Sequence, residues 1–201
     1  MDLEREMENF KNHIATFTDY GNIKILDFKD LNSSHHRIRF LFEEDYCRLH
    51  ISGDLGELIA TNYYNMTFDK FSDFVDNTGY FEEKIDCHNR AIWYYDEDKA
   101  REELTKYINE NYWLDSYQPY SSMTDEEKLE EVLYDIMHNF DDRKGISEQG
   151  FEKLSELDSD AWGWAYSIGR KSTGILDLYM LAFKLAMGQI DKEKENGCLQ
   201  D

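Results

Sequence analysis

Among the three cysteines and six histidines of this 201-residue sequence, four are candidates to bind a soft metal together or act as nucleophiles: Cys47, His50, Cys87 and His88. Thiolate and imidazole are the ligands a tetrahedral zinc ion prefers. A fold that gathered all four would suit one. Their spacing is not that of a ligand pair, however, and the ordinary alternative is a buried thiol beside hydrogen-bonded surface imidazoles. Asp135-x-x-His138 places one carboxylate and one imidazole on the same helix face. A di-metal site in a bundle needs that motif twice, with partner glutamates. No GxSxG marks a nucleophile elbow, and 43 acidic residues single out no hydrolytic pair. The sequence therefore predicts no cofactor and no catalytic set.

The stretch "HISGDLGELIATN", His50 to Asn62, raises the question of a phosphate loop. Such a loop leads from glycines into a helix N-terminus and usually carries a lysine. Here Gly53 and Gly56 lead into an alternating, strand-like run. No lysine lies between Lys29 and Lys70, and Asp54 and Glu57 would oppose an anion. The glycines fit a turn between two strands.

Carboxylate placement is more informative. On the helix expected from Asp125 to about Phe140, Leu129, Val132, Leu133, Ile136 and Met137 form an apolar stripe. Opposite them stand Glu127, Glu131 and Asp135, flanked by Glu130. At spacing i, i+4 and i+8 these groups lie about 6 Å apart along the axis, and each like-charged pair costs roughly 0.2–0.5 kcal/mol. Such a column is a candidate phosphate-mimicking face. DNA phosphates recur about every 3.4 Å along each strand, so it matches alternate phosphates loosely. The alternative is a solvated acidic face. Asp96, Glu97 and Asp98 open another helix, where the dipole favours them. Glu102 and Glu103 follow. Asp141 and Asp142 stand where the dipole opposes anions. Tyr117, Tyr120 and Tyr134 add amphipathic contact area of the kind interfaces use, and one of Trp162 and Trp164 is expected to be exposed.

Composition sets the electrostatic frame. Twenty-two lysines and arginines against 43 acids give a formal net charge of −21 and a pI near 4.5. That field repels nucleic acid and anionic lipid and attracts basic surfaces. Three cysteines, Cys47, Cys87 and Cys198, form no disulfide framework. The acidic N-terminus is no basic, apolar signal. The longest apolar run, "ILDLYMLAFKLAMGQI", is broken by Asp177 and Lys184. These features predict a cytoplasmic protein without a membrane partner, with homo-oligomerisation left open.

The elements that must position these groups read as one α+β domain over residues 1–201, with an α+β part to about residue 95 and a mainly helical part from 96. Leu3, Met7, Phe10, Ile14 and Phe17 predict a helix over 3–18 that stops at Gly21. "IKILDF", "RIRFLF", "YCRLHI" and "ELIATNYY" predict an antiparallel meander of three or four strands. Thr67 would cap a helix ending at Gly79, and Cys87 and His88 would lie in a connector before the short strand "AIWYY". Asp96 caps the next helix, and Thr124 with Glu127 forms a capping box. Further helices start near Ser147 and at Asp158 or Ser159. The last, from about Thr173 to Lys194, is apolar nearly all round and is placed in the middle of the helical part.

The runs "RIRFLFEEDYCRLHISGDLGELIATNYYNMTFDKFSDFV" and "KIDCHNRAIWYYDEDKAREEL" resemble uncharacterised acidic proteins carried by phages and prophages of low-GC Gram-positive bacteria, over roughly residues 23–110. That group includes anti-CRISPR proteins, some of which occupy DNA-binding surfaces of Cas nucleases. The resemblance implies a non-enzymatic Cas-effector inhibitor, with Cas9 the first candidate, acting in the host cytoplasm. It assigns no functional residue. Two other classes stay open: a small metal- or cysteine-dependent phage enzyme, and an acidic adaptor of a host DNA-binding protein.

Overall fold

The computed structural model describes residues 3–111 and 123–197. Tyr117, Tyr120 and Cys198 lie outside them. The fold is α+β, and the chain divides into two compact units: residues 1–92 with 174–201, and residues 93–173.

The first unit is built on a six-stranded antiparallel sheet in strict sequence order: β1 (His13–Asp19), β2 (Ile23–Asp30), β3 (Ile38–Glu43), β4 (Arg48–Gly53), β5 (Leu58–Thr61) and β6 (Ile85–His88). Period-2 alternation sends Leu26, Phe28, Ile38, Phe40, Phe42, Leu49 and Ile51 to one buried face. The opposite face carries Asp27, Arg39, Glu43, Arg48 and His50. Strand register puts Arg39 beside Asp27, and the guanidinium grips that carboxylate at 2.7 and 2.9 Å.

Two expectations are corrected at the sheet edges. Residues 3–18 are not one helix: α1 spans Leu3–Asn9, and His13–Asp19 is the edge strand β1. The sequence "HIATFTD" is rich in β-branched residues, and pairing with β2 supplies every residue of β1 with a partner position. Gly21, at φ +83°, serves the β1–β2 turn rather than a helix end. Cys87 and His88 are likewise no connector, since they belong to β6 and pair across from Ile59 and Leu58.

The loop glycines do serve a bend. Gly53 sits at φ +145°, where a Cβ would lie 1.9 Å from the Arg37 carbonyl oxygen. Beyond β5, the segment expected as one helix is two short ones, α2 (Ser72–Val75) and α3 (Thr78–Glu82). Asn77 caps α3 through Tyr80 N, so Gly79 lies inside a helix instead of ending one.

The long helix α7 (Ile175–Gly197) corrects the largest expectation. It belongs to the sheet unit, lying against β1, β2, α2 and α3. The reason is the apolar sheet face, which needs a cover. Phe183 supplies much of it, meeting Phe71 at 4.8 Å and Phe40 at 5.4 Å, both edge-on. Burying such a ring contributes roughly 1.5–3 kcal/mol.

The second unit holds a two-stranded sheet of β7 (Trp93–Tyr95) and β8 (Arg170–Ser172), with helices α4 (Glu97–Glu110), α5 (Asp125–Met137) and α6 (Glu148–Leu157). Leu104, Ile108, Leu133, Ile136 and Leu154 are among its core residues. Where a helix was expected from Asp158, two 3-10 turns occur instead, Ala161–Gly163 and Ala165–Ser167. Among the described residues, no helix is long and apolar enough to cross a membrane.

Candidate functional site

The helical unit concentrates its charge on α5 and α6. Six acids and one lysine stand on α5, and three acids and one lysine on α6. Local chemistry fixes where both helices begin. Thr124 and Glu127 close a reciprocal capping box, with Thr124 N donating to Glu127 Oε2 at 2.7 Å and Glu127 N to Thr124 Oγ1 at 3.3 Å. Ser147 Oγ accepts from Gly150 N at 3.1 Å and donates to His138 O at 2.6 Å. One hydroxyl thus caps α6 and ties it to the end of α5.

The expected column on α5 is unequally presented. Glu127 is exposed, yet its carboxylate is engaged by the cap, whose hydrogen bonds hold it below the usual carboxylate range. Glu131 and Asp135 are half-buried. One Glu131 oxygen is out of water and without a hydrogen-bond partner. Asp135 lies in the cleft between α5 and α6. Glu130 is exposed and meets Arg101 of α4 at 3.2 Å.

A second ladder was legible in the sequence and overlooked. Glu148, Glu152 and Glu156 repeat at i, i+4 and i+8 on α6, and all three are exposed. Glu156 meets a cation, Lys153, at 3.1 Å. Beside this ladder runs a cleft of about 330 Å³ lined by Tyr134, Asp135, His138, Gln149, Glu152 and Lys153. Tyr134 is exposed at its mouth. The arrangement offers carboxylates for cations and an aromatic ring for contact area.

The remaining acids divide by role. Asp96 caps α4, accepting from Lys99 N at 2.8 Å, and pairs with Lys171 at 2.7 Å. Those contacts, the Lys171 bond foremost, hold its carboxyl below the usual range. Glu97 and Asp98 are exposed in the first turn of α4. Glu103 accepts from Gly169 N at 2.8 Å, while Glu102 is exposed. Asp141 is not at a helix end at all: α5 stops at Met137, and the Asp141 carboxylate accepts from Arg143 N and Lys144 N in a tight turn. Asp142 is exposed, and its backbone carbonyl accepts from Tyr95 N.

Trp162 is exposed, whereas Trp164 packs on Tyr107 at 4.2 Å and donates to Asp158. The divergence expected for the two indoles is seen, on 3-10 turns rather than a helix.

The cysteines and histidines do not converge. His50 and Cys87 share the outer sheet face, but Ile59 stands between them in register. Two strand spacings separate them by about 10 Å, against zinc–ligand bonds of about 2 Å. His88 pairs with Leu58, whose side chain points to the other face, and its Nδ1 lies 2.7 Å from Arg90 O. Cys47 ends a 3-10 turn at φ +46°. Among the described residues, no group of three or more histidines, cysteines and acids could hold a metal ion.

Protein-family models, curated proteins and solved structures were compared with the chain, and none matched.

Proposed function

We propose that this protein is a non-catalytic binding module whose acidic helices occupy a cationic nucleic-acid groove on another protein. The observation that carries the reading is the pair of adjacent helices α5 and α6, with nine carboxylates against two lysines. Seven of those acids are exposed. Successive members of the α6 ladder stand about 6 Å apart, a spacing a basic groove built for phosphates can meet in part. The −21 net charge adds long-range attraction to such a partner. Electrostatic steering of this kind accelerates association and weakens as salt is added.

Resemblance to phage-borne acidic proteins makes a Cas effector, Cas9 first, the specific partner to test. The experiment is DNA cleavage by RNA-loaded Cas9 from a Gram-positive host, with and without this protein, across salt concentrations. The proposal expects inhibition that fades with salt and is lost when Glu148, Glu152 and Glu156 are all changed to lysine. Full cleavage at low salt removes Cas9 as the partner. Inhibition that survives both salt and the triple substitution removes the acidic helices from the mechanism.

A further inference from the structure

The sheet unit carries a second surface, independent of the acidic helices, with a different recognition chemistry. In a meander, alternate connections lie at the same sheet end. Here the β1–β2 turn, the β3–β4 turn and the segment leaving β5 share one end, and hydrogen bonds join them. Glu44 N donates to Asn22 O at 2.8 Å, and Asn62 N to Cys47 O at 3.1 Å. Each connection presents tyrosine to solvent: Tyr20 at 71% exposure, Tyr46 at 68%, Tyr63 at 98% and Tyr64 at 67%.

The exposure is imposed by the fold. Asn65 and Met66 are buried directly after the Tyr63–Tyr64 pair, and Asn62 Nδ2 bonds the Asn65 side chain. Phe68 N is held by Glu44 Oε1 at 2.9 Å. An inward anchor on the adjoining residues turns both rings outward.

The rings already hold cations of their own chain. The Arg48 guanidinium lies 5.5 Å from the Tyr46 ring centre, and the Lys70 ammonium 5.4 Å from that of Tyr64. Tyr20 and Tyr63 have no such partner among the described residues. Exposed Asp19, Asp45 and Asp69 stand at the same end, while Lys24 is taken up by Glu44 and Asp69 and Arg48 by Glu43. Ring faces beside the Asp19 and Asp45 carboxylates, which meet no cation among the described residues, favour a planar cation that can stack and donate at once, which is arginine rather than lysine. The same carboxylates oppose the phosphates of a single strand that would otherwise stack on the rings.

We propose that this tyrosine-bearing sheet end is a docking surface for an arginine-rich segment of a partner protein. An exposed cation–π contact is worth about two- to five-fold in affinity per ring, so the two unoccupied rings give on the order of ten-fold.

The test is fluorescence anisotropy with labelled nona-arginine and nona-lysine, which carry equal charge. Lysine reaches the same rings less well, so wild type is expected to bind nona-arginine a few-fold more tightly, with about ten-fold as the ceiling. Changing Tyr20, Tyr46, Tyr63 and Tyr64 to serine should erase that preference. Changing the same four to phenylalanine should keep it, and an unaltered thermal melt shows that each variant folds. The Glu148, Glu152 and Glu156 lysine variant should weaken both peptides together and leave the preference intact, so failure of the acidic-helix reading is seen separately. Equal affinity of wild type for the two peptides overturns the proposal, as does a preference that survives the serine variant. Tight binding of oligothymidine that the serine variant loses also overturns it and identifies a nucleic-acid stacking surface instead.

Discussion

Gly150 lies against the backbone of Ile136 so closely that a Cβ would stand 2.0 Å from the Ile136 carbonyl oxygen. This contact sets the separation of α5 and α6, and with it the geometry of both carboxylate ladders. Gly150→Ala would add helix propensity of up to about 1 kcal/mol. The clash is with backbone and cannot be relieved by a rotamer change. Overpacking of this kind costs about 1–3 kcal/mol, so the expected net effect is destabilisation, read as a lower melting temperature. A variant as stable as wild type would show that the helices separate without cost.

Tyr107 donates to Asp158 Oδ2 at 2.6 Å, and Tyr179 to Leu55 O at 3.1 Å. Burial, followed by the Asp158 contact, pushes the Tyr107 phenol up to about 12 from an ordinary 10.0. Burial does the same to Tyr179, also to about 12. The unfolded chain releases both protons first as pH rises. Their contribution is therefore complete below pH 10 and lost as pH climbs toward 12. Spectrophotometric titration should show two tyrosines ionising near pH 12. Tyr107→Phe should remove one of the two and cost about 1 kcal/mol.

At the acid side the sensitive group is His13. It is buried among Phe10 and Phe28, with Nε2 3.2 Å from His36 O and Nδ1 unpartnered. Burial holds its pKa below the ordinary 6.5, against the raising influence of the His36 carbonyl and of Asp30. The unfolded chain then takes up a proton that the native state resists. Stability should fall as pH drops below 6.5 through the folded value. His13→Phe should flatten that dependence between pH 7 and 5 in urea denaturation. An unchanged slope would place the acid sensitivity elsewhere.

Gln189 on α7 clamps the free edge of β1, donating from Nε2 to His13 O and accepting at Oε1 from Ala15 N, both at 2.8 Å. Gln189→Leu leaves both backbone groups unpaired at about 1–3 kcal/mol. Gln189→Glu retains the acceptor for Ala15 N and should cost less. Equal losses in the two variants would mean that the clamp adds nothing beyond packing.

Much of the local structure was readable in advance. The caps at Asp96, Thr124 and Ser147 begin their helices as expected, because capping depends on three or four neighbouring residues. The strands β2 to β5 were legible because alternation within six residues sorts the two faces. The ladder at Glu148, Glu152 and Glu156 was equally visible, since its spacing needs nothing beyond the helix period. The strand at His13–Asp19 was not, because Phe10, Ile14 and Phe17 also fit a helical face. Pairing with β2 decides between the two, and it is made by residues a turn away. Whether Glu127 was free to meet a partner also depended on a bond, the cap to Thr124, that spacing leaves open.

By itself the sequence determined the charge, the α+β class and most element starts, since each follows from composition or from contacts within one turn. Tertiary structure alone decided that α7 covers the sheet, that Gly150 brings α5 against α6, and that Cys47, His50, Cys87 and His88 stay apart. It also set Tyr20, Tyr46, Tyr63 and Tyr64 at one sheet end. These outcomes depend on which distant surfaces bury apolar area together. That free energy belongs to pairs of segments far apart in the chain, and no window of neighbouring residues contains it.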